Sequence, residues 1–109
     1  MKRICGWAVC VGLAAAPAAI VGAATKGNPA KGKVVFEQCS VCHIADSDAK
    51  KMGPGLKGLF KKDKMTNGKK PTEANIRAKI DDGGNGMPAY KDILSDQDKD
   101  DLIAYLKTL

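Results

Sequence analysis

The chain has 109 residues, of which 28% are charged, and its formal net charge is +6. This length suits one domain, and without internal repeats or a linker the sequence gives no support for a multidomain protein. Its basic residues are not interleaved with aromatic residues, and together with the predicted export this argues against nucleic-acid binding.

The N-terminal residues 1–24 have the pattern of a secretory signal peptide. Basic residues precede an apolar, alanine-rich stretch, and small residues follow it. This order predicts cleavage after Ala23 or Ala24 and export to the periplasm or an equivalent extracytoplasmic compartment. An uncleaved membrane anchor is the competing interpretation, because the stretch approaches the roughly 17 residues that a spanning helix needs. The small residues at its end favour cleavage, which leaves residues 25–109 as one domain.

A first helix is predicted from Asn28 to about Gln38. Asn28 is a suitable N-cap, and the proline after it fits the first helical position. A glycine in mid-helix is unfavourable, and close approach of another helix at Gly32 would explain it. Four residues of this helix have helical spacing and form an apolar face, which we expect to point toward the functional site. They are Gly32, Val35, Phe36 and Cys39.

The C-S-V-C-H run at residues 39–43 is the motif that most directly indicates the chemistry of this chain. Two thiols separated by two residues and followed at once by a histidine are the signature of covalent haem attachment. Cys39 and Cys42 would each add across one haem vinyl group, and His43 would be the proximal iron ligand of a single haem c. A zinc ribbon needs four ligands, whereas residues 25–109 offer three. A thioredoxin-type turn needs alternating strand and helix patterns, which the sequence lacks.

The same haem would complete the core. Roughly 85 residues remain after cleavage, and domains of this size commonly need a metal or cofactor for stability. Four aromatic side chains remain in residues 25–109, so a large apolar macrocycle would replace missing side-chain volume. We therefore expect the haem-free chain to be largely unfolded.

The identity of the second axial ligand of the iron distinguishes an electron carrier from a catalyst. His43 is the only histidine in the chain, so bis-histidine ligation within one subunit is excluded. Methionine is the natural candidate, and Met52, Met65 and Met87 all follow the predicted signal peptide. Met52 directly precedes a Gly-Pro turn, and Met65 lies in a polar, surface-like stretch. Met87 is preferred because a glycine precedes it and a proline stiffens the loop after it; the alternative is a hydrophobic plug beside an open iron site.

Two further helices are predicted in the second half of the chain. Thr72 would cap a helix over residues 73–81, which a cluster of glycines ends. A third helix would open with Ser95 and Asp98 in capping-box spacing and run over residues 95–108. Strand patterns are nearly absent, so the predicted fold class is all-α.

Four segments, in this order, resemble those of small soluble bacterial class I c-type cytochromes. They extend across almost all of residues 25–109, and together they are far more specific than any one alone. The resemblance implies the cytochrome c fold, with three main helices packed around one covalently attached haem. The segments are A-K-G-K-V-V-F-E-Q before the haem motif, G-P-G-L-K-G-L-F at 53–60, G-M-P-A-Y at 86–90 and D-L-I-A-Y-L-K at 101–107.

The resemblance also suggests how the proximal ligand is oriented. The second ring nitrogen of His43 needs an acceptor that fixes the ring, and the family implies the carbonyl of Pro54. The side chains of the same loop expected to pack against the haem are Leu56, Leu59 and Phe60.

Charge is divided along the chain. Residues 50–70 hold eight lysines and one aspartate, whereas residues 81–101 hold seven aspartates and two lysines. Such a division would orient a redox partner during encounter. Two solvated surfaces without a docking role are the alternative.

The sequence favours a diffusible periplasmic one-electron carrier with His43 and Met87 as axial ligands, and not an enzyme. Its partners would be a redox-protein donor and acceptor, including membrane-bound complexes, and the mature protein would be soluble and monomeric. One alternative is a peroxidase-like haem enzyme or a ligand sensor in which the distal ligand is displaceable. Another is a dedicated cytochrome subunit of a larger redox complex.

Overall fold

The computed structural model describes Gly12 and residues 26–109. This part contains no strand, and an isolated bridge joins Gly84 to Met87. The all-α prediction is therefore confirmed, while the predicted signal peptide lies outside the described residues apart from Gly12. The helices are α1 (Pro29–Phe36), α2 (Glu73–Asp82), α3 (Asp96–Leu106) and a short 3-10 helix, Leu59–Lys61.

α1 begins at the predicted residue and ends slightly early. The side chain of Asn28 accepts hydrogen bonds from two first-turn N–H groups, as expected of an N-cap. The helix ends at Phe36 and not near Gln38, because the Glu37 N–H donates to the Val34 carbonyl three residues back, at 3.2 Å, and the Cys39 N–H donates to the Phe36 carbonyl in the same way, at 2.8 Å. The tighter turns that follow carry the chain directly into the C-x-x-C-H motif.

The predicted caps of the other two helices are also present. Thr72 Oγ1 accepts a hydrogen bond of 3.1 Å from the Asn75 N–H. Ser95 and Asp98 form a reciprocal capping box, in which each side chain accepts a hydrogen bond from the other residue's N–H. α3 ends at Leu106, slightly before the predicted end.

α1 and α3 cross with their backbones in close contact. A side chain at Gly32 would overlap the backbone carbonyl of Asp101, so only glycine fits there. Beside this point Phe36 packs against Tyr105, with ring centroids 5.4 Å apart, and the Asp101 carboxylate accepts a 2.8 Å hydrogen bond from the Asn28 N–H. Gly32 therefore faces α3, as the expected close approach of a helix requires, and not the functional site.

Buried apolar side chains from all three helices form one cluster. Ion pairs add to the contact between α2 and α3, since Arg77 bonds Asp100 at 2.6 Å and Glu73 pairs with Lys107 just past the end of α3. None of the helices within residues 26–109 is long and apolar enough to cross a membrane. The cluster consists of Phe36, Leu59, Ile76, Ile80, Leu94, Leu102, Ile103 and Leu106.

Candidate haem site

A cavity of about 500 Å³ opens between the C-x-x-C-H motif and the second half of the chain. Its volume lies within the roughly 300–1,000 Å³ that is typical of ligand and cofactor sites. The structure brings all five predicted site residues to this one cavity. They are Cys39, Cys42, His43, Pro54 and Met87.

The remaining walls are largely apolar and come from every helix of the described chain. Leu56 and Leu59 line the cavity as expected, whereas Phe60 lies outside the lining, with the Lys107 ammonium 5.9 Å from its ring centre. Apolar walls with two thiols and an imidazole fit a large apolar macrocycle that is covalently attached at one edge. The apolar wall residues are Phe36, Leu56, Leu59, Ile76, Ile80, Leu102 and Leu106.

The C-x-x-C-H motif is wound into a tight turn. The N–H groups of Cys42 and His43 both donate to the Cys39 carbonyl, at 3.1 and 2.9 Å, so the two thiols and the imidazole share one small unit. Burial raises the pKa of the Cys39 thiol, and the nearby Cys42 adds to the rise. Burial likewise raises the pKa of the cavity-lining Tyr90, with smaller contributions from both cysteines. Residues 26–109 contain no cluster of three cysteine, histidine or acidic side chains arranged as a metal site.

The loop after the motif holds the His43 ring. His43 Nδ1 lies 2.8 Å from the Pro54 carbonyl oxygen, which only accepts, so Nδ1 is the donor and Nε2 is the ring nitrogen left to bind a metal. The Gly53 N–H donates to the Cys42 carbonyl at 2.8 Å, which draws this loop onto the motif. A side chain at Gly53 would come within 2.5 Å of His43 Cε1, so glycine lets the loop lie flat against the imidazole.

Met87 follows a two-residue turn in the loop after α2. Asn85 and Gly86 have φ angles of 53° and 90°, which are typical of the Asn-Gly turn that joins two extended segments. Gly84 and Met87 close the turn with two backbone hydrogen bonds of 2.9 and 3.1 Å. The position of Met87 is therefore fixed by backbone geometry, and the Asn-Gly pair is the sequence signal that locates this turn.

The other two methionines also border the cavity. The sequence places Met65 in a surface-like stretch, and its neighbours are exposed, but Met65 itself is half-buried and lines the cavity. Its N–H donates to the Lys69 carbonyl at 2.8 Å and its carbonyl accepts a bond of 2.9 Å from the Gly68 N–H, which closes a local turn. Met52 is 77% exposed, with Sδ 4.0 Å from Cys42 Sγ. Met65 and Met87 both lie at backbone-bonded turns, but only the Met87 turn is closed by two reciprocal hydrogen bonds to a single residue, Gly84.

Two lysines near this loop were not singled out from the sequence. Lys79 Nζ donates to the carbonyls of Gly83 and Gly84, both at 3.1 Å. Lys99 is 4% exposed and pairs with Asp81 at 2.6 Å. Neither contact has a sequence signal, since each depends on how the chain reverses after α2.

The basic segment, residues 50–70, borders the same cavity. Lys50, Lys62 and Lys64 are among the residues that line it. Lys62 pairs with Asp48 at 3.4 Å, while Lys50 and Lys64 are exposed. Positive charge therefore lies beside the cavity and is not confined to a remote surface.

Comparisons with known proteins agree with this geometry. A family model described as Cytochrome c matches residues 29–109. A "Cytochrome c6-like" protein of Nostoc sp. is 39% identical over 80 residues, which cover 72% of this chain and 68% of that protein. "Cytochrome c2" of Blastochloris viridis is 36% identical over 107 residues, covering 83% of this chain and 84% of that protein. "Cytochrome c oxidase subunit 2" of Alkalihalophilus pseudofirmus is 33% identical over 86 residues, which cover 72% of this chain and 25% of that protein.

Proposed function

Because this chain belongs to the cytochrome c family and carries covalently bound haem c, we propose that it is a diffusible one-electron carrier of the periplasm. It is exported by its N-terminal segment and released by cleavage near Ala23 or Ala24. Its iron has His43 and Met87 as axial ligands. The observation that carries the proposal is one apolar cavity bordered by the C-x-x-C-H motif, an oriented imidazole and a methionine on a closed turn.

Each site residue has a separate role in this proposal. Cys39 and Cys42 form the thioether bonds, and His43 presents Nε2 to the iron. The Pro54 carbonyl accepts a hydrogen bond from His43 Nδ1–H and so prevents the ring from turning. Met87 supplies a thioether, which raises the potential relative to a second imidazole. Bound haem supplies an iron that alternates between two oxidation states, and the apolar walls keep water away from it.

A carrier role follows from filling both axial positions with residues of fixed loops. The His43 imidazole is held by its hydrogen bond to the Pro54 carbonyl and by close packing against Gly53. Met87 follows a hydrogen-bonded turn. Neither ligand needs to move when the electron is gained or lost, so little reorganisation accompanies transfer. A peroxidase-like enzyme would use a second histidine as acid or base, and His43 is the only histidine in the chain.

The partners are a redox-protein donor and acceptor, including membrane-bound complexes. The basic segment, residues 50–70, is the proposed docking surface for an acidic partner, because Lys50 and Lys64 are exposed beside the cavity. Opposite charges raise the rate of encounter at low salt. Mature chains are expected to be soluble and monomeric and not to bind nucleic acid.

A dedicated subunit of a larger redox complex is the second candidate. It is favoured by one observation, the match to a quarter of a protein named cytochrome c oxidase subunit 2. Fractionation of the native cells separates the two candidates. A diffusible carrier is released with the periplasmic fraction, whereas a dedicated subunit purifies with one membrane complex.

Replacement of Met87 tests the proposed ligation, with Met65 as the matched control because its thioether borders the same cavity. Met87→Ala is expected to let ferrous holoprotein bind carbon monoxide and to lower the midpoint potential, since the thioether is lost. Met65→Ala is expected to change neither property. The opposite pattern contradicts the assignment, and tight carbon monoxide binding by the wild-type protein would favour a haem enzyme or sensor.

A further inference from the structure

We propose that Lys79 is a positioning residue for Met87 and that it sets how readily an exogenous ligand replaces the methionine. This inference rests on the proposed ligation of the iron by Met87. Lys79 lies in the last turn of α2, and its side chain both lines the cavity and reaches the loop that follows. Nothing in the proposed electron-transfer role by itself requires this lysine.

The connection between Lys79 and Met87 passes through one shared acceptor. Lys79 Nζ donates to the Gly84 carbonyl at 3.1 Å, and the Met87 N–H donates to the same carbonyl at 3.1 Å. The Gly84 N–H in turn donates to the Met87 carbonyl at 2.9 Å. A displacement of the Gly84 peptide therefore moves Met87 directly.

The second bond of Lys79 acts on the same stretch. Its ammonium also donates to the Gly83 carbonyl at 3.1 Å. Gly83 lies so close to the carbonyls of Met87 and Pro88 that a side chain there would overlap both. The lysine thus binds the two glycines whose backbone supports the Met87 segment.

This end of the loop has no other side-chain anchor among the described residues. Four consecutive residues, 83–86, have φ between 53° and 107°, and three of them are glycines, which lose the most conformational entropy on ordering. The far end of the loop is held separately, since the Tyr90 N–H donates to the Ile80 carbonyl at 2.9 Å and Lys99 Nζ donates to the Lys91 carbonyl at 3.1 Å.

The Lys79 ammonium is well suited to hold the Gly83 and Gly84 carbonyls in place. A hydrogen bond from an ammonium is stronger than one between neutral groups. The positive charge also lies at the C-terminus of α2, where the helix dipole favours it. Removal of the ammonium is therefore expected to favour open forms of the loop, in which Met87 is withdrawn from the iron.

Imidazole binding to ferric holoprotein measures this equilibrium, because imidazole occupies the iron only when the methionine leaves. Lys79→Leu keeps an apolar side chain of high helix propensity, removes the donors and adds no group that can bind iron. It is expected to raise the apparent imidazole affinity by about tenfold or more, which corresponds to about 1.4 kcal/mol. Lys79→Arg keeps the positive charge and the N–H donors and is expected to stay within about threefold of the wild-type value.

Two controls isolate the contact. Lys91 is exposed, lies four residues after Met87 and does not line the cavity, so Lys91→Leu removes an equal charge from the same part of the chain without removing a bond to residues 83–87. Gly32→Ala perturbs the crossing of α1 and α3, away from the cavity, and reports general destabilisation. Both variants are expected to bind imidazole as the wild-type protein does.

The outcomes separate this inference from the proposed ligation. If Met87→Ala increases imidazole affinity and Lys79→Leu does not, Met87 is the ligand and only the positioning role of Lys79 is wrong. If Lys91→Leu raises imidazole affinity as much as Lys79→Leu does, loss of positive charge accounts for the effect and the positioning role is again overturned. If Met87→Ala leaves the affinity unchanged, the proposed ligation fails and the role of Lys79 fails with it.

Discussion

A methyl group added at Gly53 is expected to raise the midpoint potential of the protein. Gly53 is absent from the residues with positive φ, so alanine is compatible with its backbone. The added carbon would lie 2.5 Å from His43 Cε1 and 2.8 Å from Nδ1. These are separations that packed atoms do not tolerate, so the ring or the loop must shift and the bond from Nδ1 to the Pro54 carbonyl must weaken.

The magnitude follows from that hydrogen bond. A typical intramolecular hydrogen bond contributes about 0.5–1.5 kcal/mol. An acceptor on the outer nitrogen makes the imidazole more basic and favours ferric iron, so its loss favours the ferrous state. At 59 mV and about 1.4 kcal/mol per tenfold change for one electron, the expected rise is at most about 20–60 mV.

Spectroelectrochemical titration of Gly53→Ala measures this shift, with Gly58→Ala as the control. Gly58 belongs to the same loop and has open space around the added carbon. Its φ of 66° makes alanine cost about 1–2 kcal/mol of stability, yet its potential should match that of the wild-type protein. A Gly53→Ala potential equal to or below the wild-type value would refute the reasoning.

Three further predictions concern stability and partner encounter. Gly32→Ala, which meets a backbone carbonyl of α3, should lower the free energy of unfolding by about 1–3 kcal/mol in urea titrations; a variant as stable as the wild type contradicts this packing. The pKa of Asp101 is lowered, chiefly by the bond from the Asn28 N–H and then by Gln97, so its contribution to stability is present above pH ~4 and is lost as the pH falls through the depressed pKa. Unfolding titrations of Asp101→Asn at several pH values should not show this loss of stability at low pH; a variant with the same acid dependence as the wild type argues against the contribution of Asp101. The Lys61→Glu and Lys62→Glu pair should slow electron transfer with an acidic partner at low salt, and this change in rate should be far larger than the change in midpoint potential; rates independent of salt would show that the lysines are a solvated surface.

Features that depend on a few neighbouring residues were predictable from the sequence. Asn28 and the Ser95–Asp98 pair cap their helices through bonds that span at most three residues. The spacing of Cys39, Cys42 and His43 likewise defines a turn whose bonds are local. In such patterns the hydrogen-bond donor and acceptor both lie within the pattern, so the local geometry can be predicted without knowledge of the rest of the fold.

Features that depend on how distant segments meet were not predictable in the same way. Met65 lies among polar residues, yet it is half-buried and borders the cavity. Lys99 resembles a surface lysine on a charged helix, but it is buried against Asp81. The bonds of Lys79 to the loop glycines require the positive φ angles that follow α2. In each case the partner is defined by the folded chain and not by the local pattern.

Ligation of the iron by Met87 is the central claim, and the absorption spectrum of ferric holoprotein tests it most directly. A thioether bound to ferric haem gives a charge-transfer band at the red end of the visible spectrum. We predict that the wild-type protein and Met65→Ala show this band and that Met87→Ala does not. A wild-type spectrum without the band, or a band that persists in Met87→Ala, would contradict the claim.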